Sequence, residues 1–194
     1  MSNAIRTAAA VALLALLGAC AHPISITPDL ASIPAQKPTV QKNAAFVIAT
    51  EDRDREVTTK GGGGDEIRYF PYRELEAGMF QVLSSIYAKV TLLRTSTDKS
   101  LLDASKASYV FLPTVATESS SQSAFTWPPT DFTITIKYKV QDPAGKPVYD
   151  NQVQGKGQAT YDEFKKDFGL AGKLAAQDAL KKFKAQVEAA AELK

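Results

Sequence analysis

The sequence predicts an α+β fold: a mainly antiparallel sheet with two helices packed on one face, the second being a long C-terminal helix. Three observations point there. Phe132, Ile134, Ile136, Tyr138 and Val140 alternate with Thr133, Thr135, Lys137 and Lys139, the period of a strand with one buried and one wet face. Leu75, Met79, Val82, Leu83 and Ile86 recur at helical spacing, as do Ala176, Ala179, Leu180, Phe183, Val187 and Ala190. Between these stripes the strands come in runs rather than in regular alternation with helices, which separates α+β from α/β.

The elements follow in order. Ala8 to Leu17 is an unbroken apolar run after Arg6, long enough for a signal h-region and short of the roughly 20 residues that span a bilayer. Residues 1–19 are therefore read as a signal peptide. Residues 20–43 carry Pro23, Pro28, Pro34 and Pro38 among polar residues without an apolar period, the composition of a semi-extended tether, and His22 is read as a solvated residue within it. A single domain is expected over 44–194. Ala44 to Thr50 is a short apolar run read as a buried strand, and Val57–Thr59 and Glu66–Tyr69 flank four glycines as a hairpin. Pro71 suits the first turn of the first helix, where its missing N–H is harmless, and Glu74 and Glu76 suit that positive end. Strands are expected over 90–94 and 109–112, with Pro113 interrupting the second, and a short polar helix or turn over 98–106. Residues 118–130 read as a serine-rich loop. Asp142-Pro143-Ala144-Gly145 fits a type I turn that returns the chain through 148–160, where Gly155 and Gly157 share one face and admit a close neighbour. Asp162 is a candidate N-cap for the helical last third, and Gly169 a break within it.

Composition excludes several functions. The chain has 194 residues, 23 Lys and Arg against 21 Asp and Glu, and a net charge of +2, with no long like-charge run, which speaks against a nucleic-acid partner. One cysteine excludes an internal disulfide and a cysteine metal cluster; one histidine, His22, excludes paired-histidine ligation. No metal and no cofactor are expected. Four glycines followed by Asp65-Glu66 lack the Gly-Lys-Ser/Thr of a phosphate loop. Ser96-Thr97-Asp98-Lys99 matches Ser-x-x-Lys, but the accompanying Ser-Asp-Asn and Lys-Thr-Gly strings are absent. Asp162-Glu163 and Glu74/Glu76 read as helix-start charges rather than as a catalytic pair. The chain reads as a non-enzyme.

Leu17-Gly18-Ala19-Cys20 resembles a bacterial lipobox. The resemblance implies acylation of the Cys20 thiol, cleavage before it by a protease whose narrow site accepts Gly18 and Ala19, and attachment to a membrane. Ala21 follows instead of the Asp that would favour inner-membrane retention. The implied location is the cell envelope, at the outer membrane with the domain facing the periplasm. Lipobox, proline-rich segment and a small domain ending in a long helix together resemble YajG-like proteins and the auxiliary lipoproteins of envelope ABC transporters. That layout implies an accessory or assembly module that engages an envelope protein. The alternative is a binder of peptidoglycan, lipid or a small ligand, with an envelope hydrolase third. Phe125 and Trp127, in the loop before Pro128-Pro129, are the partner-binding candidates; the competing reading makes Trp127 a plug over the sheet edge.

Overall fold

The protein, seen in a computed structural model, is described over residues 21–34, 36–122 and 126–194; residues 1–19, Cys20 and Phe125 lie outside the described residues. The apolar run after Asn43 belongs to β2 (Val40–Val47). From its end the chain passes through a short turn of helix, α1 (Thr50–Arg53), a hairpin of β3 (Val57–Lys60) and β4 (Glu66–Tyr69), and α2 (Pro71–Ser84). It re-enters the sheet as β5 (Tyr87–Leu93), parallel to β2. A second crossover through α3 (Lys99–Ser105) brings β6 (Tyr109–Ser120) to the other side of β2, again parallel. The connection over 121–130 and then a tight turn give β7 (Asp131–Gln141) and β8 (Pro147–Gln158), both antiparallel to their neighbours.

The main sheet therefore has the order β5-β2-β6-β7-β8 and is antiparallel over its long β6–β7–β8 pairings, as the strand pattern suggests, but parallel over the shorter β5–β2–β6 pairings, which makes it mixed. The reason is the crossovers: a strand reached through a helix returns in the same direction, whereas one reached through a short turn reverses. β2 reads as a continuous apolar run because it is covered on both sides. Ala44 and Phe46 enter the large core, while Ala45 and Val47 meet Leu93, Val110 and Leu102 of α3 in a second, smaller cluster. The remaining back face keeps Lys137 and Lys139 exposed.

α2 and α5 (Leu170–Ala189) pack on one face as expected. The fit of α5 depends on absent side chains. A Cβ built on Gly155 would stand 2.2 Å from the Ala175 carbonyl oxygen, and one on Gly157 2.1 Å from that of Ala171. Helix backbone thus lies directly on β8. The short helix α4 (Tyr161–Phe164) is capped by a reciprocal Thr160–Glu163 pair, so Thr160, not Asp162, is its N-cap.

Two expectations about β6 change. The strand runs unbroken through Pro113, which pairs with Tyr138. β2 accompanies β6 only as far as Phe111, so the missing proline N–H falls where no strand requires it. Residues 118–120, read as loop, belong to β6, whose outer edge is met by the hairpin: the Tyr69 hydroxyl donates to Thr117 Oγ1 at 2.7 Å.

The segment 21–43 is not a free tether. β1 (His22–Pro23) pairs in parallel with β4, Ile26 and Ile33 are buried in the main core, and Val40 already belongs to β2. Its prolines restrict a strap that lies across α2 and the start of α5. The domain therefore extends N-terminal to the expected boundary at residue 44.

Candidate functional site

Two surfaces stand out. The first follows from the rim position of β5, which among the described residues has β2 on one side and no strand on the other. The apolar stripe of α2 turns Leu75, Met79, Val82 and Leu83 into the core. Phe80 lies off that stripe and stays half-buried on the helix flank. Together with Ala77, Val90 and Leu92 it lines an open groove of about 750 Å³ beside the free strand edge. Two polar residues of this groove, Glu76 and Gln81, are already engaged. Glu76 accepts from Arg94 and lies 3.6 Å from Arg53 Nε, while Gln81 Nε2 donates to Leu30 and Ile33 carbonyl oxygens at 3.1 and 2.7 Å. The exposed Lys89 marks its rim.

The second surface is built by the strap. Glu74 does more than complement a helix start. Its Oε2 accepts from Ser25 Oγ at 2.8 Å, Ile26 N at 2.6 Å and Thr27 Oγ1 at 3.1 Å, and its Oε1 accepts from Phe70 N at 3.1 Å. Gly78, one turn along, leaves room for Leu180 of α5 with Pro28 in ordinary contact beside it, and Gln81 holds the strap at 30–33. Gly169 and Gly172 leave room for the strap at the start of α5, where added Cβ atoms would meet Ser25 O at 1.9 Å and Ile26 Cγ2 at 2.3 Å.

This docking fixes His22, which is no solvated tether residue. Its ring stacks on Trp127 with centroids 4.2 Å apart and an interplanar angle of 18°, and its Nε2 lies 3.5 Å from Asp65. Phe168 packs on the same indole at 4.8 Å. The Trp127 backbone is held as well, its carbonyl accepting from Gly62 N at 2.8 Å. The tetraglycine turn has a structural use: a Cβ on Gly61 or Gly62 would strike the carbonyl oxygens of Trp127 and Thr126. Trp127 is thus partly buried against the core, while Phe168 and Tyr161 remain 47% and 58% exposed at the same end.

Of the residues singled out in the sequence, Trp127 is placed in this cluster; Cys20 and Phe125 lie outside the described residues. Asp98 caps α3 through Leu101 N at 3.1 Å, which accounts for the Ser-x-x-Lys string as a helix start. Among the described residues no group of three or more His, Cys, Asp or Glu is arranged to hold a metal ion, and no helix is long and apolar enough to cross a membrane. Burial pushes the Tyr87 and Tyr138 hydroxyls well above the usual tyrosine range, but both rings sit in the core, where Tyr138 donates to Gln186 Oε1 at 2.9 Å. The strap contacts went unread although Glu74, Gly78 and Gln81 stand at i, i+4 and i+7, a polar and small-residue face of α2 beside the apolar one.

No protein-family model and no curated protein matches the chain. Solved structures do. A Helicobacter pylori homolog of neuraminyllactose-binding hemagglutinin is 8% identical with a TM-score of 0.48, over 82% of this chain and 89% of that one. A Xanthomonas campestris protein of the DUF330 family is 12% identical at 0.43, over 87% and 95%. A minor lipoprotein from Acinetobacter baumannii is 10% identical at 0.40, over 76% and 93%. Likenesses this loose carry no function from one chain to another.

Proposed function

We propose that the chain is a lipoprotein of the bacterial envelope, acylated on Cys20 and held at the outer membrane with its domain in the periplasm. It works there as a non-enzymatic accessory module that receives an extended segment of another envelope protein along β5. The observation that carries this reading is the apolar groove beside an unpaired strand edge. An added strand would hydrogen-bond to the free backbone of β5 and place alternate side chains against Phe80, Val90 and Leu92. Engagement of Glu76 and Gln81 within the protein argues against a small-ligand pocket, which needs polar groups converging on empty space. The test is a photoreactive side chain at Lys89 in intact cells, with one at Lys146 in the β7–β8 turn as control. Crosslinking to a discrete protein from position 89 alone, lost in Phe80→Ala, is expected. Equal products from both positions, or none from 89, would reject the groove as the partner site.

A further inference from the structure

We infer that the end of the domain carrying His22, Trp127, Phe168 and Tyr161 rests on the lipid bilayer, with the aromatic side chains in the headgroup layer. This rests on the proposed acylation of Cys20. One residue, Ala21, separates Cys20 from His22, which is already paired with β4 opposite Ile67. Two residues of extended chain span at most about 7 Å. The headgroup region on each side of a bilayer is itself about 5–7 Å deep. A lipid on Cys20 therefore leaves no slack. His22 and the indole stacked on it are drawn to the surface with the anchor, and the domain cannot stand away from it.

The chemistry of this end suits that position. Trp and Tyr favour the membrane interface because each joins a large apolar face to a polar handle. Among the described residues Phe168 and Tyr161 are two of the few large apolar side chains left exposed, and Phe168 adjoins the strap through Trp127 and Gly169. Tyr161 lies across a shallow depression from Gln122 and Thr130, the residues that lead into and out of the Trp127 loop. Charge is balanced there. Lys165 is paired with Asp162 and Lys173 with Asp167, each at 2.7 Å, and Lys166 lies close enough to help lower the pKa of the Glu163 carboxyl. Attraction to anionic lipid is therefore not the driving force; apolar contact with zwitterionic headgroups and upper acyl chains is. The groove along β5 is left free for a partner in the periplasm.

Trp127 is the chain's only tryptophan, so its emission reports one place. The acylated protein, purified from membranes, is reconstituted into vesicles of phosphatidylethanolamine and phosphatidylcholine brominated near the top of the acyl chains. Emission is expected to fall by about half, because an interfacial aromatic lies within ~5–10 Å of such bromines. Phe168→Ala combined with Tyr161→Ala should weaken the quenching without unfolding the domain, since both side chains are largely exposed. Protein that floats with the vesicles but shows unquenched Trp127 emission overturns the inference and turns this face toward a protein partner. Protein that does not float at all refutes the acylation instead, and the inference falls with it.

Discussion

Replacing Gly155 by alanine adds one methyl group where the backbone of α5 lies on β8. The new Cβ would meet Ala175 O at 2.2 Å, Ala179 N at 2.3 Å and the Ala179 methyl at 2.7 Å. The first two are backbone atoms inside a helix and have no rotamer to change. Reaching ordinary contact requires α5 to retreat by roughly 1 Å, and a gap of that size forfeits a quarter to a half of each dispersion contact along the seam. Ala171, Ala175 and Ala179, all buried, share that seam. Overpacking ordinarily costs about 1–3 kcal/mol, and two immovable partners put this site near ~3 kcal/mol. For a chain of this length that is a fall in Tm of about 6–12 °C, read by calorimetry or circular dichroism. Gly78→Ala is the internal contrast. Its Cβ would meet Leu180 Cδ1 at 2.4 Å, the end of a flexible side chain. The substitution also gains about 0.8–1 kcal/mol of helix propensity, so a net change within ~1 kcal/mol is expected. Gly155→Ala with Gly157→Ala should cost less than the sum, because both displace the helix at Ala175 and one retreat serves both. A Gly155→Ala protein melting within about 2 °C of the parent would refute the close-packing account, as would equal losses at Gly78 and Gly155.

Three further outcomes follow from the geometry. Glu74→Ala removes the acceptor of three strap donors and should destabilise by about 1.5–3 kcal/mol; faster hydrogen exchange at the Ile26 amide and protease cleavage within 21–34 check it, with Glu74→Gln milder. Cys20→Ser should move the protein from the membrane to the soluble fraction and block processing; unchanged retention and processing would remove the lipoprotein reading. Hydrogen bonds from Thr160 hold the Glu163 carboxyl below its ordinary value of 4.5. The capping contribution is thus complete above that ordinary value and is lost as pH falls through the lower folded one, and NMR titration should show the Glu163 midpoint rise in Thr160→Val.

The alternation through 132–140 and the stripe of α2 were legible because each records one element's buried face in its own period, and both appear at the expected residues. The groove beside β5 was not, since half-buried Phe80 and Val90 become a surface only when a particular strand is left at the sheet rim. Trp127 was legible as an unusual residue but not in its surroundings: His22 and Phe168 lie far from it in sequence and reach it only through the strap and the turn before α5.

What the sequence by itself determined is local or compositional. It holds the N-terminal apolar run and Leu-Gly-Ala-Cys, the periods of the amphipathic elements, and the glycine pair at 155 and 157, where alternation alone puts both on one face. What only the tertiary structure decided is relational. Parallel pairing of β2 with β5 and β6 depends on where two helices return the chain, and no strand's own residues encode the direction of its neighbour. The strap shows the same limit: the inward alternation of Ile24, Ile26, Pro28 and Leu30 is too short and proline-broken to mark an element, and only the two-residue β1 and one 3-10 turn are regular there. Ile26 and Ile33 are buried and the Ile26 N–H is satisfied by a face of α2 supplied some 50 residues later, so packing rather than propensity turns a tether-like composition into part of the domain.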